Sequence, residues 1–206
     1  MLEELIIRSL ADTCPSEPAD AVFLFGQTKD NQQSVFETAK TLLHEKQVMK
    51  VLFLSSEPKS GYPGFDKWQQ ELVQIGVQPQ QIEPVPSPDT EILHTRIEAD
   101  AMVKHALKQK YKSIIIAASP FQQPRALMAA VTAALAHYPT LYLYSKPGKP
   151  LPWCQEANHS QGKVEDTRAG LISGEIERIH KYNQKGDLAY AKDVLEYLNR
   201  RDRHQL

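Results

Sequence analysis

Small and polar residues that could hold a ligand follow several short hydrophobic segments of this sequence. Small side chains let backbone N–H groups face a ligand there, and the start of a following helix adds partial positive charge. This combination favours a small anionic or nucleotide-like ligand with phosphate or carboxylate groups. The candidate ligand-binding residues are Gly26, Gln27, Ser55, Ser56, Thr95, Glu98, Ser119, Gln122 and Arg125.

Glu98 and Arg125 are the two candidate catalytic residues. Arg125 is predicted in the first turns of a helix, where a cation opposes the helix dipole, so a carboxylate or an anionic ligand should compensate its charge. Glu98 is the best candidate for that carboxylate. A structural Glu98–Arg125 pair without a ligand, and a site in which Arg125 stabilises charge on a substrate, both stay open. Arg96 is a second cation available to an anion, and His94 is the histidine beside this motif.

Several well-known site motifs are absent from the sequence. It has no G-x-G-x-x-G after the first predicted strand, no P-loop and no G-x-S-x-G nucleophile elbow. The histidines show no H-x-x-x-H spacing, so we expect no metal site. The small and polar residues after the predicted strands therefore indicate where a site lies, but they do not define a reaction. If the protein is an enzyme, we expect transfer or hydrolysis at a phosphate- or sulfonium-bearing substrate.

The elements that must position these residues alternate between strand and helix. Residues 114–116 are three consecutive isoleucines, and such a run is typical of a strand covered on both faces. Helical patterns follow the first four strands, including a long one over residues 91–110. We therefore predict a Rossmann-like, doubly wound sheet of about five parallel strands, with the first strand central and ligand space beside it. The predicted strands are residues 21–25, 51–54, 81–85, 114–116 and 141–144.

The edge strand, one loop and the C-terminal region complete this prediction. Prolines place the third strand near an edge of the sheet, and residues 59–64 form a glycine-proline loop that we expect to be mobile or to close over a site. We assign residues 1–150 to the α/β domain. We assign residues 151–206 to a linker and a helical pair. A proline- and glycine-rich stretch covers residues 145–165, and the two helices are predicted over residues 168–184 and 187–201. The apolar stripe of this pair should pack on the sheet layer or on a partner subunit, which would give a homo-oligomer.

Composition narrows the class of protein. The chain has 206 residues, 41% hydrophobic and 24% charged, with a formal net charge of -1, so no global basic field recruits nucleic acid or anionic lipid. No apolar run approaches the roughly 20 residues of a membrane span. The acidic N-terminus lacks the basic start of a signal peptide, and we expect a cytoplasmic protein. Cys14 and Cys154 could form one disulfide, but two free thiols are the simpler prediction.

Several of these segments resemble the bacterial YdcF-like family, a domain of unknown function also found in proteins of the SanA and ElyC type. The resemblance spans about residues 21–144. It is carried by Phe-Leu-Phe-Gly at residues 23–26, Leu-Ser-Ser at 54–56, Gly-Val at 76–77, Thr-Arg-Ile-Glu-Ala at 95–99, and Ala-Ser-Pro-Phe-Gln-Gln-Pro-Arg-Ala at 118–126. It implies a Rossmann-like domain and binding of S-adenosylmethionine or a nucleotide-type ligand.

Two positions depart from the family pattern. Gln122 stands where the family usually has histidine, and an amide cannot replace a histidine as general base because it does not titrate. Ser56 and Glu57 stand where two glycines are common. Two alternatives to a ligand-binding protein are a non-catalytic regulatory or scaffold protein, and an enzyme that processes a cell-envelope intermediate with the Tyr62 loop as its lid.

Overall fold

The computed structural model describes residues 1–159 and 164–206, and the first 150 residues form a three-layer α/β structure around one parallel sheet. The strand order is β3-β2-β1-β4-β5, with every neighbouring pair parallel. β1 is central, β3 is at one edge, and the predicted doubly wound fold is confirmed. The strands are β1 (Ala21–Leu24), β2 (Val51–Ser55), β3 (Ile82–Pro86), β4 (Ser113–Ala117) and β5 (Tyr142–Ser145).

Seven α-helices lie in the described part of the chain, and one 3-10 turn (Pro79–Gln81) precedes β3. The long helix begins at Thr95 rather than at residue 91, because residues 91–94 form a bent, non-helical segment before it. The helices are α1 (Leu2–Leu10), α2 (Gln32–His44), α3 (Phe65–Gln74), α4 (Thr95–Gln109), α5 (Gln123–His137), α6 (Leu171–Gln184) and α7 (Ala191–Asp202).

The core lies on both faces of the sheet. All four residues of β1 are buried, and so are the three isoleucines of β4. Because helices cover both faces, these strands are apolar without alternation, as in other all-parallel sheets. α5 is rich in alanine and buries eleven of its fifteen residues, since small side chains let it lie close against the sheet.

A short antiparallel pair of strands, β6 (Glu156–His159) and β7 (Val164–Thr167), begins within the proline- and glycine-rich stretch over residues 145–165, where no strand was predicted. Its strands are four residues each, and both were missed because neither has a run of β-branched or aromatic residues. Residues 160–163 of this stretch lie outside the described residues.

The C-terminal helices pack on the α/β layer. Val194 and Leu198 of α7 are fully buried and belong to the main core. The apolar stripe that could have served a partner subunit is therefore used within the chain. Tyr197 of α7 also reaches the edge strand β5, where its hydroxyl accepts the Leu143 N–H at 3.0 Å and donates to the carbonyl of Leu141.

Two further observations concern the predicted cellular context. Cys14 and Cys154 are both free and exposed, as predicted from their separation. None of the helices in the described ranges combines the length and apolar character needed to cross a bilayer.

We predict that Tyr197→Phe destabilises the protein by about 1–3 kcal/mol, because the buried N–H of Leu143 and carbonyl of Leu141 each lose a hydrogen-bond partner. Urea unfolding at pH 7 measures this cost. Tyr190→Phe is the matched control, since Tyr190 is 61% exposed at the start of α7. Equal stability of the two variants would contradict the proposed docking of α7 on β5.

Candidate functional site

A cavity of about 350 Å³ opens at the carboxyl ends of β1 and β4. The strand order runs outward from β1 to β3 on one side and from β4 to β5 on the other, so these two strands flank the switch point of the sheet. Ligands of open α/β sheets bind at this position. Gly26, Gln27 and Thr28 follow β1 along one wall, and Gln122 follows β4 along another.

Glu98, in the first turn of α4, is a buried carboxyl in this cavity. Its Oε2 atom accepts a hydrogen bond of 2.6 Å from the backbone N–H of Gly26. Burial raises the pKa of Glu98 to about 7, although the Gly26 N–H and the charge of Arg125 both act to lower it. A Cβ atom at position 26 would lie 3.2 Å from Oε2, so glycine lets the backbone approach the carboxyl this closely.

Arg125 lines the same cavity, but its carboxylate partner is Glu175 of α6. The guanidinium donates from Nε to Oε2 at 2.6 Å and from Nη2 to Oε1 at 3.0 Å, which is a bidentate pair. Its Nη1 donates to the hydroxyl of Thr95. The predicted Glu98–Arg125 pair is therefore wrong. Glu98 instead binds a backbone N–H, and a residue 50 positions further along the chain compensates the arginine.

Glu175 also binds two other side chains through its Oε1 atom. His159 of β6 contacts it through Nε2 at 2.5 Å, and Arg178 donates from Nη1 at 3.0 Å. Burial acts to raise the pKa of Glu175, but the charge and hydrogen bonds of Arg125 and the hydrogen bond from His159 outweigh it. They hold this pKa well below its usual range. Glu175 is therefore ionised at neutral pH, and Nε2 of His159 must be the donor.

The cavity carries an excess of positive charge when Glu98 is protonated. Arg125 and Arg178 both line it, whereas Glu175 is the carboxylate that their charges share. α4 also begins at the cavity, and the unpaired N–H groups of its first turn favour negative charge. Burial lowers the pKa of His94, so this ring is neutral at pH 7. Such an arrangement can hold an anion.

Ser119 lies behind the cavity wall rather than in it. It is 1% exposed, and its hydroxyl donates to Oε1 of Gln27 at 2.6 Å. The amide of Gln27 then donates to Oε1 of Gln122 at 2.8 Å. Gln122 lines the cavity, and its Nε2 has no hydrogen-bond partner among the described residues. Ser119 and Gln27 therefore orient Gln122 so that its amide N–H groups remain available to a ligand.

Ser55 and Ser56 lie outside this cavity. They line a separate cleft of about 420 Å³ at the start of α3, and the hydroxyl of Ser55 donates to the carbonyl of Val85 at 3.1 Å. The expected convergence of Gly26, Ser55 and Ser119 on one crevice is wrong, because Tyr62 stands beside Gly26 and closes that side.

Tyr62 itself is a fixed wall of the cavity. It is 4% exposed, its hydroxyl donates to the carbonyl of Leu54 at 3.1 Å, and its ring packs edge-on against Trp68. Ser60 and Tyr62 both line the cavity, which agrees with a loop that covers a site, whereas the packing of Tyr62 does not suit a mobile one.

Arg96 also lies elsewhere. Its Nε donates to Asp100 at 3.0 Å and its Nη1 donates to the carbonyl of Asp187 at 3.0 Å. Both contacts hold the arginine along α4, facing the C-terminal segment. The second cation at the cavity is therefore Arg178 and not Arg96.

Sequence reasoning missed the residues that the C-terminal region contributes to the cavity. Glu175, Arg178 and Tyr182 have i, i+3 and i+7 spacing, which places them on one face of α6. Glu175 and Arg178 lie on the same helix face as Ile179, which is 1% exposed. Charged side chains on a buried helix face were the signal in the sequence that could have identified these residues. His159 comes from β6, a strand that was itself not predicted.

The comparisons with known proteins leave the family undetermined. Neither a model of a known protein family nor a curated protein matches this chain. The resemblance to the YdcF-like family therefore stays a prediction based on the motifs. Within residues 1–159 and 164–206, no group of three or more His, Cys, Asp or Glu side chains is arranged to hold a metal ion.

We predict that Glu175→Gln lowers the free energy of unfolding by about 3–5 kcal/mol at pH 7, because it leaves buried arginine charge uncompensated. The folded-state pKa of Glu175 is depressed, so its contribution is complete above the ordinary carboxyl pKa of 4.5 and is lost as the pH falls towards the folded-state value. The difference between the wild-type protein and the variant should therefore shrink in acid.

Denaturant unfolding at several pH values checks this prediction. Glu177→Gln removes the same charge from an exposed position of α6 and should change stability little at any pH. A gap between wild type and Glu175→Gln that stays constant into acid would contradict the assigned role of the carboxylate.

Proposed function

We propose that this chain binds a small anionic molecule, with a phosphate or carboxylate group, in the cavity between the ends of β1 and β4. The observation that supports this proposal is that two guanidinium groups, those of Arg125 and Arg178, share one ionised carboxylate there. The N-terminus of α4 adds to the positive potential. An anionic group of the ligand would complete the charge balance.

The size and the walls of the cavity favour a nucleotide-like ligand. A volume of 350 Å³ is near the lower end of the range of about 300–1,000 Å³ for small-molecule sites. Tyr62, Tyr182 and Leu93 supply apolar and aromatic surface beside the polar end. A ligand with a flat ring and a phosphate group would use both.

S-adenosylmethionine fits this charge distribution less well than a nucleotide. Its carboxylate could bind the guanidinium groups, but its sulfonium and ammonium groups are both cationic. Glu98 is the cavity carboxyl that is free to face such a cation, since Glu175 is already bound by two arginines. We therefore propose a nucleotide-type ligand first and S-adenosylmethionine second.

We also propose that the chain is a YdcF-like protein of bacterial origin. Three of the five segments that carry this resemblance meet at the cavity, since Gly26 comes from the first of them, Thr95 and Glu98 from the fourth, and Gln122 and Arg125 from the fifth. Two free, exposed cysteines suit a reducing compartment, which supports a cytoplasmic protein.

The scaffold alternative was motivated by the apolar stripe of the C-terminal helices and by Gln122 in place of the family histidine, and the first of these no longer supports it. The apolar stripe of the C-terminal helices, with Leu188, Val194 and Leu198, is buried in the chain's own core. The envelope-enzyme alternative assigned a lid to the Tyr62 loop, and this residue is held in place by a hydrogen bond and by aromatic packing. Anion binding is therefore the function that we carry forward.

Calorimetric titration with AMP, ADP, S-adenosylmethionine and inorganic phosphate tests the proposal. We expect at least one phosphate compound to bind, and Arg178→Gln to weaken it about tenfold or more, as for other hydrogen bonds to charged groups. Lys181→Gln is the matched control, because it removes one positive charge from an exposed position of the same helix. No binding of any compound, or equal weakening by both variants, would contradict the site.

A further inference from the structure

Glu98 has one oxygen fixed and one oxygen open to the cavity. Oε2 accepts the N–H of Gly26 at 2.6 Å. Oε1 makes no hydrogen bond to any described residue, and it is not among the buried side-chain atoms that lack a partner. Because the residue is only 5% exposed and lines the cavity, the accessible surface of Oε1 faces the cavity.

The charge on Glu98 works against the anion that the cavity would hold. When Glu98 is ionised, its carboxylate repels the ligand that Arg125 and Arg178 attract. When it is protonated, the repulsion disappears and the O–H group can donate a hydrogen bond to a ligand oxygen. Burial raises the pKa of Glu98 to about 7, so a proton is available to it near neutral pH.

The other groups that face Glu98 set its response to pH. Burial raises the pKa of Tyr62 far above neutrality, so this side chain stays uncharged. Burial lowers the pKa of His94 from 6.5, so the ring gains its proton only in more acidic solution. Arg125, Arg178 and the ionised Glu175 keep fixed charges. His159 is held as a donor to Glu175.

We infer that Glu98 is the specificity-determining and proton-exchanging residue of this site, protonated when an anion is bound and donating a hydrogen bond to that anion from its open oxygen. This inference rests on the proposed function. It requires no covalent step. One proton passes from solvent to the carboxylate as the anion enters, and it returns to solvent when the anion leaves.

The measurable consequence is an affinity that depends on pH with a defined sign. Above the pKa of free Glu98, binding must take up a proton, so the dissociation constant should rise about tenfold for each further pH unit. Sulfate is the suitable probe because its charge does not change over this range. Nucleotides and inorganic phosphate titrate near neutral pH and would confuse the result.

We would measure sulfate affinity from about pH 6.5 to 9 at constant ionic strength for wild type, Glu98→Gln and Glu91→Gln. Glu98→Gln keeps an oxygen for the Gly26 N–H and donates from its amide at every pH. It should bind sulfate with a constant affinity, which at high pH exceeds that of wild type. Glu91→Gln removes a carboxylate from an exposed position shortly before α4 and should keep the wild-type pH dependence.

Two measurements on the unaltered protein avoid reliance on a variant. Calorimetry at about pH 8 in two buffers of different ionisation enthalpy should show close to one proton taken up per sulfate bound. The carboxyl carbon resonance of Glu98 should shift towards its protonated position when sulfate is added.

The outcomes separate this inference from the proposed function. Sulfate binding that is independent of pH, or proton uptake that persists in Glu98→Gln, would overturn the inference and leave the anion site intact. If neither sulfate nor a nucleotide binds wild type at about pH 6.5, the anion site itself is excluded, and the inference with it.

Discussion

The carboxylate of Glu175 is the contact on which the arrangement of the site depends. It binds a guanidinium from α5, a guanidinium from α6 and an imidazole from β6. α5, α6 and β6 are thereby held around one buried charge, and the contact between α5 and α6 spans 50 residues of the sequence. A buried ion pair of this kind adds little net stability compared with apolar packing, but it fixes the geometry of its members. Arg125 can face a ligand because Glu175 satisfies the other side of its guanidinium.

This contact also changes how the chain is divided. The sequence predicted an α/β domain over residues 1–150 and, over residues 151–206, a linker and a helical pair packed on it. The cavity nevertheless takes residues from both parts, since Gly26 and Gln122 lie on one side and Arg178 and Tyr182 on the other. A second anchor lies at the edge strand β5, where Arg201 of α7 pairs with Asp12 and donates to the carbonyl of Leu143 at 2.8 Å. The C-terminal segment therefore completes the site and also covers an exposed sheet edge.

Two buried carboxyls in one cavity have opposite properties. Glu175 is surrounded by two arginines and a histidine, and its pKa is depressed. Glu98 has one backbone N–H as its hydrogen-bond partner, and burial raises its pKa. Because their environments shift their pKa values in opposite directions, two glutamates in one cavity can have two different roles. Glu175 provides a permanent charge that orients Arg125, whereas Glu98 can exchange a proton with solvent or ligand.

Much of the fold could be predicted from local patterns. Apolar runs such as residues 114–116 and the spacing of residues 99–107 specify buried strands and helices, because backbone periodicity depends on neighbours in the chain. The same reasoning predicted Gly26, Gln27, Gln122 and Arg125 near the carboxyl ends of the strands, because parallel strands bring those ends to one side of the sheet, and all four line the cavity.

The sequence by itself thus determined the fold class, the central position of the first strand, and the carboxyl ends of the strands as the place where a site could form. Only the tertiary structure decided that Glu175 is the partner of Arg125, that Tyr62 separates Ser55 from Gly26, and that Arg178 faces the cavity. Pairing between side chains 50 residues apart depends on how helices dock against each other. That docking is set by the summed packing of many residues, and no local motif encodes it.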